Sequence, residues 1–295
     1  MRITQGMMYN TYINDIVRRQ ETLYSLDKQL ATGKRVNAPS DDPVNAGTIL
    51  SSKSVLSSFN QYQRNIDSGY SYLNITEKAL SSVKDVITSV KEIATTNATG
   101  TMDAVGRANS ASIVSNLLDE LVSLGNTEFD GRYVFSGYKT DTPALSATGA
   151  YQGDSNRYGI RISGTSTLTV GVNGDEVFKG AGGGGGTDIL QTVSDLVTAL
   201  AANDVAGIEA SIGALDSSFN QVTAAVAEIG GKVNRLQSAE ATLSTTRLEV
   251  SATVSNLEDA DVASVISELK LGQIALEAAL SSAGTVFSTN IFNYI

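Results

Sequence analysis

The sequence predicts a mainly α-helical protein, a long coiled-coil helical bundle formed by the N- and C-terminal segments with a small antiparallel β domain inserted in the middle. Three observations predict this fold class. Core-type positions keep an unbroken 4-3-4-3 spacing over residues 208–257, which is typical of a coiled-coil seam. The same spacing recurs within the first thirty residues. Between residues 158 and 178 apolar residues alternate instead, which is the pattern of half-buried strands.

Composition excludes several classes of function. The 295-residue chain has a formal net charge of −10, so nucleic acids and anionic membranes are poor partners. It contains neither histidine nor cysteine, which removes the commonest general base, thiol nucleophiles and thiolate zinc ligands. It has no run of about eighteen apolar residues, so we expect no membrane insertion. We expect no catalytic residue, no cofactor, no metal ligand and no enzymatic activity.

The first helix is predicted to end at Gly33, a residue type favoured just past a helix C-terminus. Its stripe repeats the seam spacing at Tyr12, Ile16, Arg19, Leu23, Leu26 and Leu30. Pro39 and Pro43 prevent the helix from continuing, and Asp42 before Pro43 fits an N-cap followed by proline at the first helical position. We interpret Pro39, Asp42 and Pro43 as a hinge between two helices. A calcium site at Asp41 and Asp42 is the less favoured alternative.

Two further helices are predicted before the β domain. A long helix covers about residues 44–94, with a stripe at Leu73, Leu80, Val83, Ile87, Val90 and Ala94. After residues 97–100 a third helix follows, with Ile113, Leu117, Leu121 and Leu124 in register. Up to this point we expect the chain to be entirely helical.

The character of the sequence changes at residues 129–131. Residues 133–135 are predicted to form a strand. The alternation over residues 158–178 predicts antiparallel strands, with turns at residues 163–165 and 173–175.

Five glycines at residues 182–186 are predicted to form a flexible connection at the end of the β domain. They lack the Gly-Lys-Ser/Thr ending of a phosphate-binding loop. Tyr133, Phe135 and Tyr138 form either a surface patch for a partner or the core of the β domain, and we favour the core.

Helix resumes near residue 187 and leads into the long seam. The seam positions are Ile208, Ile212, Leu215, Phe219, Val222, Val226, Ile229, Val233, Leu236, Glu240, Leu243, Arg247, Val250, Val254 and Leu257. Fifty residues of helix form a rod about 75 Å long, which needs partner helices of similar length. Glu240 and Arg247 interrupt the seam; they set its register, pair across the bundle, or lie where the rod meets solvent.

A separate last helix is predicted because the seam fails at Asp261. Asp259 and Asp261 are of the type that caps a helix N-terminus. The new stripe comprises Val262, Val265, Ile266, Leu269, Leu276 and Leu280. The chain closes with an apolar, aromatic tail over residues 286–295, which has no partner in a lone monomer. We therefore expect other subunits or a chaperone to cover it.

Five segments are predicted. They are an N-terminal assembly helix (1–42), the first half of a helical rod (43–129), an inserted β domain ending in the glycine linker (130–186), the second half of the rod (187–257) and a C-terminal assembly helix (258–295). The candidate assembly residues are Ile16, Leu23, Leu26, Leu30, Leu269, Leu276, Leu280, Phe287, Phe292 and Tyr294. Burial of each such leucine against a neighbour contributes roughly 1.5–3 kcal/mol, which favours assembly.

Several segments resemble the flagellin family. They are residues 1–4, 30–43, 129–140, 151–154, 257–261 and 292–295. The helical ends fit any flagellin, whereas the two central segments and the aromatic end are similar to a member that joins hook to filament. The resemblance implies a structural subunit of the bacterial flagellum that templates flagellin polymerisation. It also implies an extracellular protein, exported by the flagellar type III apparatus without a cleaved signal peptide.

The resemblance implies partners as well. These are other copies of the chain in a helical or ring-like layer, a neighbouring hook-associated protein, flagellin, and an export chaperone at the C-terminal region. Two alternatives stay open. One is a flagellin that forms the filament itself. The other, of a different class, is a secreted adhesin or enzyme with its site in the β insert.

Overall fold

The computed structural model describes the backbone of residues 5–100, 102–181 and 185–291, and the side chains of residues 6–100, 102–181 and 185–285. The helices in these ranges are α1 (Gln5–Thr32), α2 (Pro43–Asn97), α3 (Ala104–Gly125), α4 (Gly174–Phe178), α5 (Ile189–Ala201), α6 (Val205–Glu258) and α7 (Val262–Ile291). The strands are β1 (Glu128–Phe129), β2 (Arg132–Tyr133), β3 (Gly159–Arg161) and β4 (Thr167–Thr169). Long helices with small antiparallel pairs confirm the predicted fold class.

The chain divides into two compact units. The terminal unit consists of Met1–Ser58 together with Thr245–Ile295, and it contains α1 and α7. The central unit, Phe59–Ser244, contains the four strands with α3, α4 and α5. The five segment boundaries predicted above stay predictions.

Within the central unit α2 and α6 pack as antiparallel helices. The Gln63 Nε2 atom donates to Glu240 Oε1 at 3.2 Å, near one end of the contact. Farther along α2, the Lys84 ammonium lies 5.1 Å from the centre of the Phe219 ring. Residue numbers rise along α2 as they fall along α6, so the two helices run in opposite directions. Glu240 therefore pairs across the bundle, whereas Arg247 is exposed to solvent.

The core of the central unit includes buried residues at heptad spacing along α2 and α6. In α6 every seventh residue is buried, at Ile208, Leu215, Val222, Ile229, Leu236 and Leu243. In α2 the same interval recurs at Ile66, Leu73, Leu80, Ile87 and Ala94. All six residues of the stripe predicted for the second helix are fully buried. The predicted seam is thus confirmed as core from residue 208 to 243, because two long helices bury each other's stripes.

The stripe predicted for the third helix is partly wrong. Ile113 is 53% exposed, whereas Ala111 and Val114 are buried. The buried face of α3 packs against α5, and that face begins at Arg107, a polar residue that a search for apolar spacing passes over. Leu121 of the predicted stripe is buried as expected.

The β insert consists of two short hairpins. The first joins β1 to β2 through Asp130 and Gly131, whose φ angles of 53° and 70° are those of a tight two-residue hairpin turn. The second pairs β3 with β4 around the predicted turn at residues 163–165, with Ile160 opposite Leu168. The predicted strand over residues 133–135 is shorter than expected, because β2 ends at Tyr133.

The predicted turn at residues 173–175 is wrong, because these residues begin a short helix. The Asn173 side chain accepts a hydrogen bond from the Asp175 amide at 3.0 Å and caps α4. This helix places Phe178 in the core, where its ring packs edge-on against that of Phe135 with the ring centres 5.3 Å apart. Of the three aromatic residues considered above, Phe135 is core, Tyr133 is half-buried and Tyr138 is exposed.

The predicted glycine connection lies partly outside the described residues. The chain on either side of it is bonded to Gln221 of α6, whose Nε2 atom donates to the carbonyls of Val177 and Thr187 at 2.8 and 3.0 Å. Its Oε1 atom accepts from the Thr187 amide at 2.9 Å. One side chain therefore satisfies the backbone on both sides of this connection.

Candidate assembly surface

The segment between α1 and α2 is a structured helix break. α1 ends at Thr32, and Gly33 follows with a φ of 69°, which favours glycine at this position. Asp41 Oδ2 accepts hydrogen bonds from the amides of Asn37 and Ala38 at 2.9 and 2.8 Å. Those bonds hold the pKa of Asp41 below its usual value, because they favour the charged carboxylate.

The predicted N-cap of α2 is confirmed. Pro43 is the first residue of the helix, and Asp42 Oδ1 accepts from the Asn45 amide at 3.1 Å. The Asn45 side chain and then its amide lower the pKa of Asp42, with a smaller contribution from Arg35. Asp42 therefore caps α2, and Asp41 holds the loop that precedes it. Movement at Pro39, Asp42 and Pro43 stays a prediction.

A second break separates α6 from α7. α6 ends at Glu258 and α7 begins at Val262, with the Asp261 carboxylate accepting from the Ala263 amide at 3.0 Å. This confirms the predicted cap at Asp261. The two breaks are bonded to each other, since the Ala260 amide donates to the Gly33 carbonyl at 2.9 Å.

α1 and α7 pack against each other beyond these breaks. Leu26 is 8% exposed, and Val265 of α7 is buried in the same unit. The helices lie close together at Gly272, where a Cβ atom would lie 2.8 Å from the Leu23 Cδ2 atom and the leucine side chain would have to shift. The terminal helices thus form a pair within one chain.

Packing of α1 against α7 at least partly buries most of the predicted assembly residues. Leu26 is buried, whereas Leu280 is 50% exposed. The half-buried residues are Ile16, Leu23, Leu30, Leu269 and Leu276. Phe292, Tyr294 and the side chain of Phe287 lie outside the described residues. The assembly role of this set stays a prediction.

Sequence reasoning named only part of the apolar surface that the terminal helices expose. The exposed large apolar residues are Met7, Met8, Tyr9, Ile13, Val17 and Tyr24 on α1, and Val262, Ile266, Leu271, Ile274 and Leu280 on α7. We call these eleven residues the terminal apolar face. Val262, Ile266 and Leu280 belong to the stripe predicted for the last helix, whereas the other eight residues were missed. A signal was present on α1, because Ile13 and Val17 lie next to Tyr12 and Ile16 of the predicted stripe and widen the apolar side of the helix.

The described residues offer little to bind a metal or span a membrane. Within the described ranges, no group of three or more histidine, cysteine, aspartate or glutamate side chains is placed to hold a metal ion. The described helices also lack a segment long and apolar enough to cross a bilayer. The feature that stands out is the terminal apolar face, since water-exposed patches of this kind commonly mark protein interfaces.

The chain is similar in sequence to known proteins. The profile of the bacterial flagellin N-terminal helical region matches residues 3–140, and that of the bacterial flagellin C-terminal helical region matches residues 212–295. Flagellar hook-associated protein 3 of Salmonella typhimurium is 29% identical over 313 aligned residues, covering 99% of each chain. Flagellin of Bacillus subtilis is 29% identical over 294 aligned residues, covering 95% of this chain and 94% of the relative.

The fold is also similar to that of a solved structure. The structure assigned to a flagellar hook-associated protein of Vibrio parahaemolyticus superposes with a TM-score of 0.68 at 28% identity. It covers 75% of this chain and all of its own. The two matched helical regions together span about three quarters of the sequence and include both helices of the terminal pair. The chain therefore belongs to the flagellin family and is similar over its full length to hook-associated protein 3 of that family.

Proposed function

We propose that this protein is a structural subunit of the bacterial flagellum that joins the hook to the filament and templates flagellin polymerisation. The terminal apolar face carries the proposal, because a charged, soluble chain has no reason to expose such residues on both ends unless other molecules cover them. The full-length similarity to hook-associated protein 3 supports the junction role in particular.

The partners follow from this role. Copies of the chain pack side by side in a helical or ring-like layer, with a neighbouring hook-associated protein on one side and flagellin on the other. Before assembly an export chaperone covers the C-terminal region, and the chain leaves the cell without loss of a signal peptide. The five segments given above divide this work between terminal assembly helices, rod and β insert. No enzymatic step is part of the proposal.

The terminal pair refines which residues meet neighbours. Leu26 lies inside the pair, so its contribution is to hold α1 against α7. Ile274 is 64% exposed and belongs to the terminal apolar face, so it is available to a neighbouring copy. A charge at Ile274 would be buried without a partner on assembly, which costs several kcal/mol.

The test is complementation of a strain that lacks this protein. We expect the deletion strain to carry bare hooks and to release unpolymerised flagellin into the medium. The wild-type chain should restore filaments, whereas Ile274→Asp should not. The matched control is Ile113→Asp, since Ile113 is also an exposed helical isoleucine but lies on α3 in the central unit. Electron microscopy and an assay for shed flagellin provide the measurements.

A filament-forming flagellin is the second candidate, favoured by the similarity to the Bacillus subtilis protein. In that case the deletion would remove the main filament protein itself, and no flagellin would accumulate in the medium. Normal motility of the Ile274→Asp strain would contradict both candidates. An adhesin or enzyme in the β insert is not favoured, because several polar groups of the insert bind α6 of the same chain, as where Lys232 Nζ donates to the Gly171 carbonyl at 3.0 Å and Arg157 Nη1 donates to Glu228 Oε1 at 2.9 Å.

A further inference from the structure

Glu258 is the one acidic residue that is buried within the described part of the chain, with 4% exposure. Its Oε1 atom lies 2.8 Å from the Lys34 ammonium and 2.6 Å from the Lys53 ammonium. The three charges come from three separate segments: the end of α6, the break after α1, and α2. They meet where the two helix breaks touch.

Hydrogen bonds to backbone carbonyls join the same two breaks. The Glu258 carbonyl accepts from the amides of Arg35 and Val36 at 2.7 and 3.2 Å, and the Arg35 guanidinium donates to the Leu257 carbonyl at 2.7 Å. Lys34 and Asp259 also form an isolated antiparallel bridge. The segment that leaves α1 is therefore held directly against the corner that leads into α7.

Burial of this carboxylate is unfavourable by itself. Desolvation is the largest single influence on Glu258 and raises its pKa, but Lys34 and Lys53 together lower it below the usual value. Well-packed apolar residues commonly stabilise such a site as well as a buried ion pair does, so stability alone does not account for three charges here. A buried ionic group is best explained where it selects one arrangement over others.

We propose that Glu258, with Lys34 and Lys53, forms an ionic lock that positions α1 and α7 for assembly. The lock holds the chain after Gly33 to the chain after Leu257, so that the two terminal helices start side by side and present the terminal apolar face as one surface. Glu258 is thus a positioning residue rather than a contact with neighbouring copies. The inference rests on the proposed function, since it assumes that the terminal pair is the surface that assembles.

The first test is Glu258→Gln in the deletion strain. This change keeps the shape of the side chain and removes its charge, leaving two lysines without their partner. We expect the fraction of hooks that carry filaments to fall at least about tenfold. The matched control is Glu249→Gln, because Glu249 lies on the same helix and is exposed.

The second test replaces the lock with a covalent bond. Directly opposed residues of an antiparallel bridge have Cβ atoms about 4.5–5.5 Å apart, which small shifts bring within reach of a disulfide. The chain has no cysteine, so Lys34→Cys with Asp259→Cys introduces a single defined pair. Added to Glu258→Gln, this pair should restore filaments under oxidising conditions and lose them again with reductant. The wild-type strain, treated with the same reductant, should keep its filaments.

Each outcome bears on the lock. Filaments with Glu258→Gln at the level of Glu249→Gln would overturn it. A disulfide that forms without restoring filaments, shown by the mobility of the non-reduced protein, would overturn it too. Failure of the bond to form in oxidant would mean that the two breaks do not lie together, which also contradicts the lock. If Ile274→Asp blocks assembly in the same strains, the proposed function stands whichever way the lock is decided.

Discussion

At the scale of single residues, the least expected group is a buried arginine that has no carboxylate partner among the described residues. Arg107 is 4% exposed, and its Nε and Nη2 atoms donate to the carbonyls of Asn97 and Thr99, both at 2.9 Å. Its Nη1 atom donates to Asn203 Oδ1 at 2.5 Å. The last carbonyls of a helix have no partner within it, and a cation is favoured there by the helix dipole. Arg107, a residue of α3, thus caps the C-terminal end of α2.

We predict that Arg107→Met destabilises the central unit. Methionine replaces the aliphatic part of the side chain but leaves buried carbonyl groups without donors, which should lower the free energy of unfolding by about 2–4 kcal/mol. Urea unfolding followed by circular dichroism measures the change. Arg64→Met is the control, because Arg64 is an exposed arginine of α2 bonded only to its neighbour Gln61 among the described contacts. Equal stabilities of the two variants would refute this account of Arg107.

At the scale of elements, helix starts are set by short polar side chains. Asp103 caps α3, Asp188 caps α5 and Asp261 caps α7 through hydrogen bonds to free amides of the first turn. Asp42 caps α2 in the same manner, whereas Asp41 binds the amides of Asn37 and Ala38 in the loop before the helix. Because hydrogen bonds hold the pKa values of Asp41 and Asp42 below their usual value, the break before α2 depends on the charged form of both carboxylates and should respond to acid.

We predict that acid loosens the break between α1 and α2. The pKa of Asp41 is lower in the folded chain than its ordinary value of 3.8, so its bonds stabilise the fold fully above that pH. The contribution is lost as the pH falls through the lowered value. Asp41→Asn should therefore show a smaller loss of ellipticity than the wild type between pH ~4 and pH ~2. Asp27→Asn, on the exposed side of α1, should follow the wild-type curve. Identical acid curves for Asp41→Asn and the wild type would contradict this assignment.

At the scale of the whole molecule, the two units differ in how they bury apolar surface. The central unit contains the fully buried heptad positions of α2 and α6 with the aromatic core of the β insert. In the terminal unit α1 and α7 cover only one side of each other and leave the terminal apolar face open. Helices of this kind depend on partners, since helical stability in proteins comes mainly from packing. Under the proposed function, assembly is the step that covers this face.

We predict that protease reveals this difference in the purified full chain. Trypsin should cut first within α1, where Arg18 and Lys28 are exposed, and should leave a resistant fragment that corresponds to Phe59–Ser244. The same sites should resist cleavage in isolated hook–filament structures, where neighbours cover them. Mass spectrometry of the fragments makes the comparison. Terminal helices as resistant as the central unit in the free protein would contradict the need for neighbours.

The sequence by itself determined where the long helices lie and where they stop. Heptad spacing, Gly33, the proline at 43 and the capping aspartates are local signals, and each acts within a few residues of its own position. The sequence did not predict that β2 ends at Tyr133 or that α4 starts at Gly174. In a small insert, packing against the helices decides whether a segment forms a strand, a turn or a helix. The roles of Arg107 and Glu258 were not predicted either, since Asn203 and Lys53, which they bind, lie far away along the chain.

Only the tertiary structure decided which apolar residues are covered. Leu26 and Leu280 look alike in the sequence, as leucines in the stripes predicted for the terminal helices, yet one is 8% exposed and the other 50% exposed. A stripe shows which side of a helix avoids water, but it does not show whether the same chain or another molecule covers that side. The packing of α1 against α7 makes that choice, because a helix buries only the side that its partner reaches.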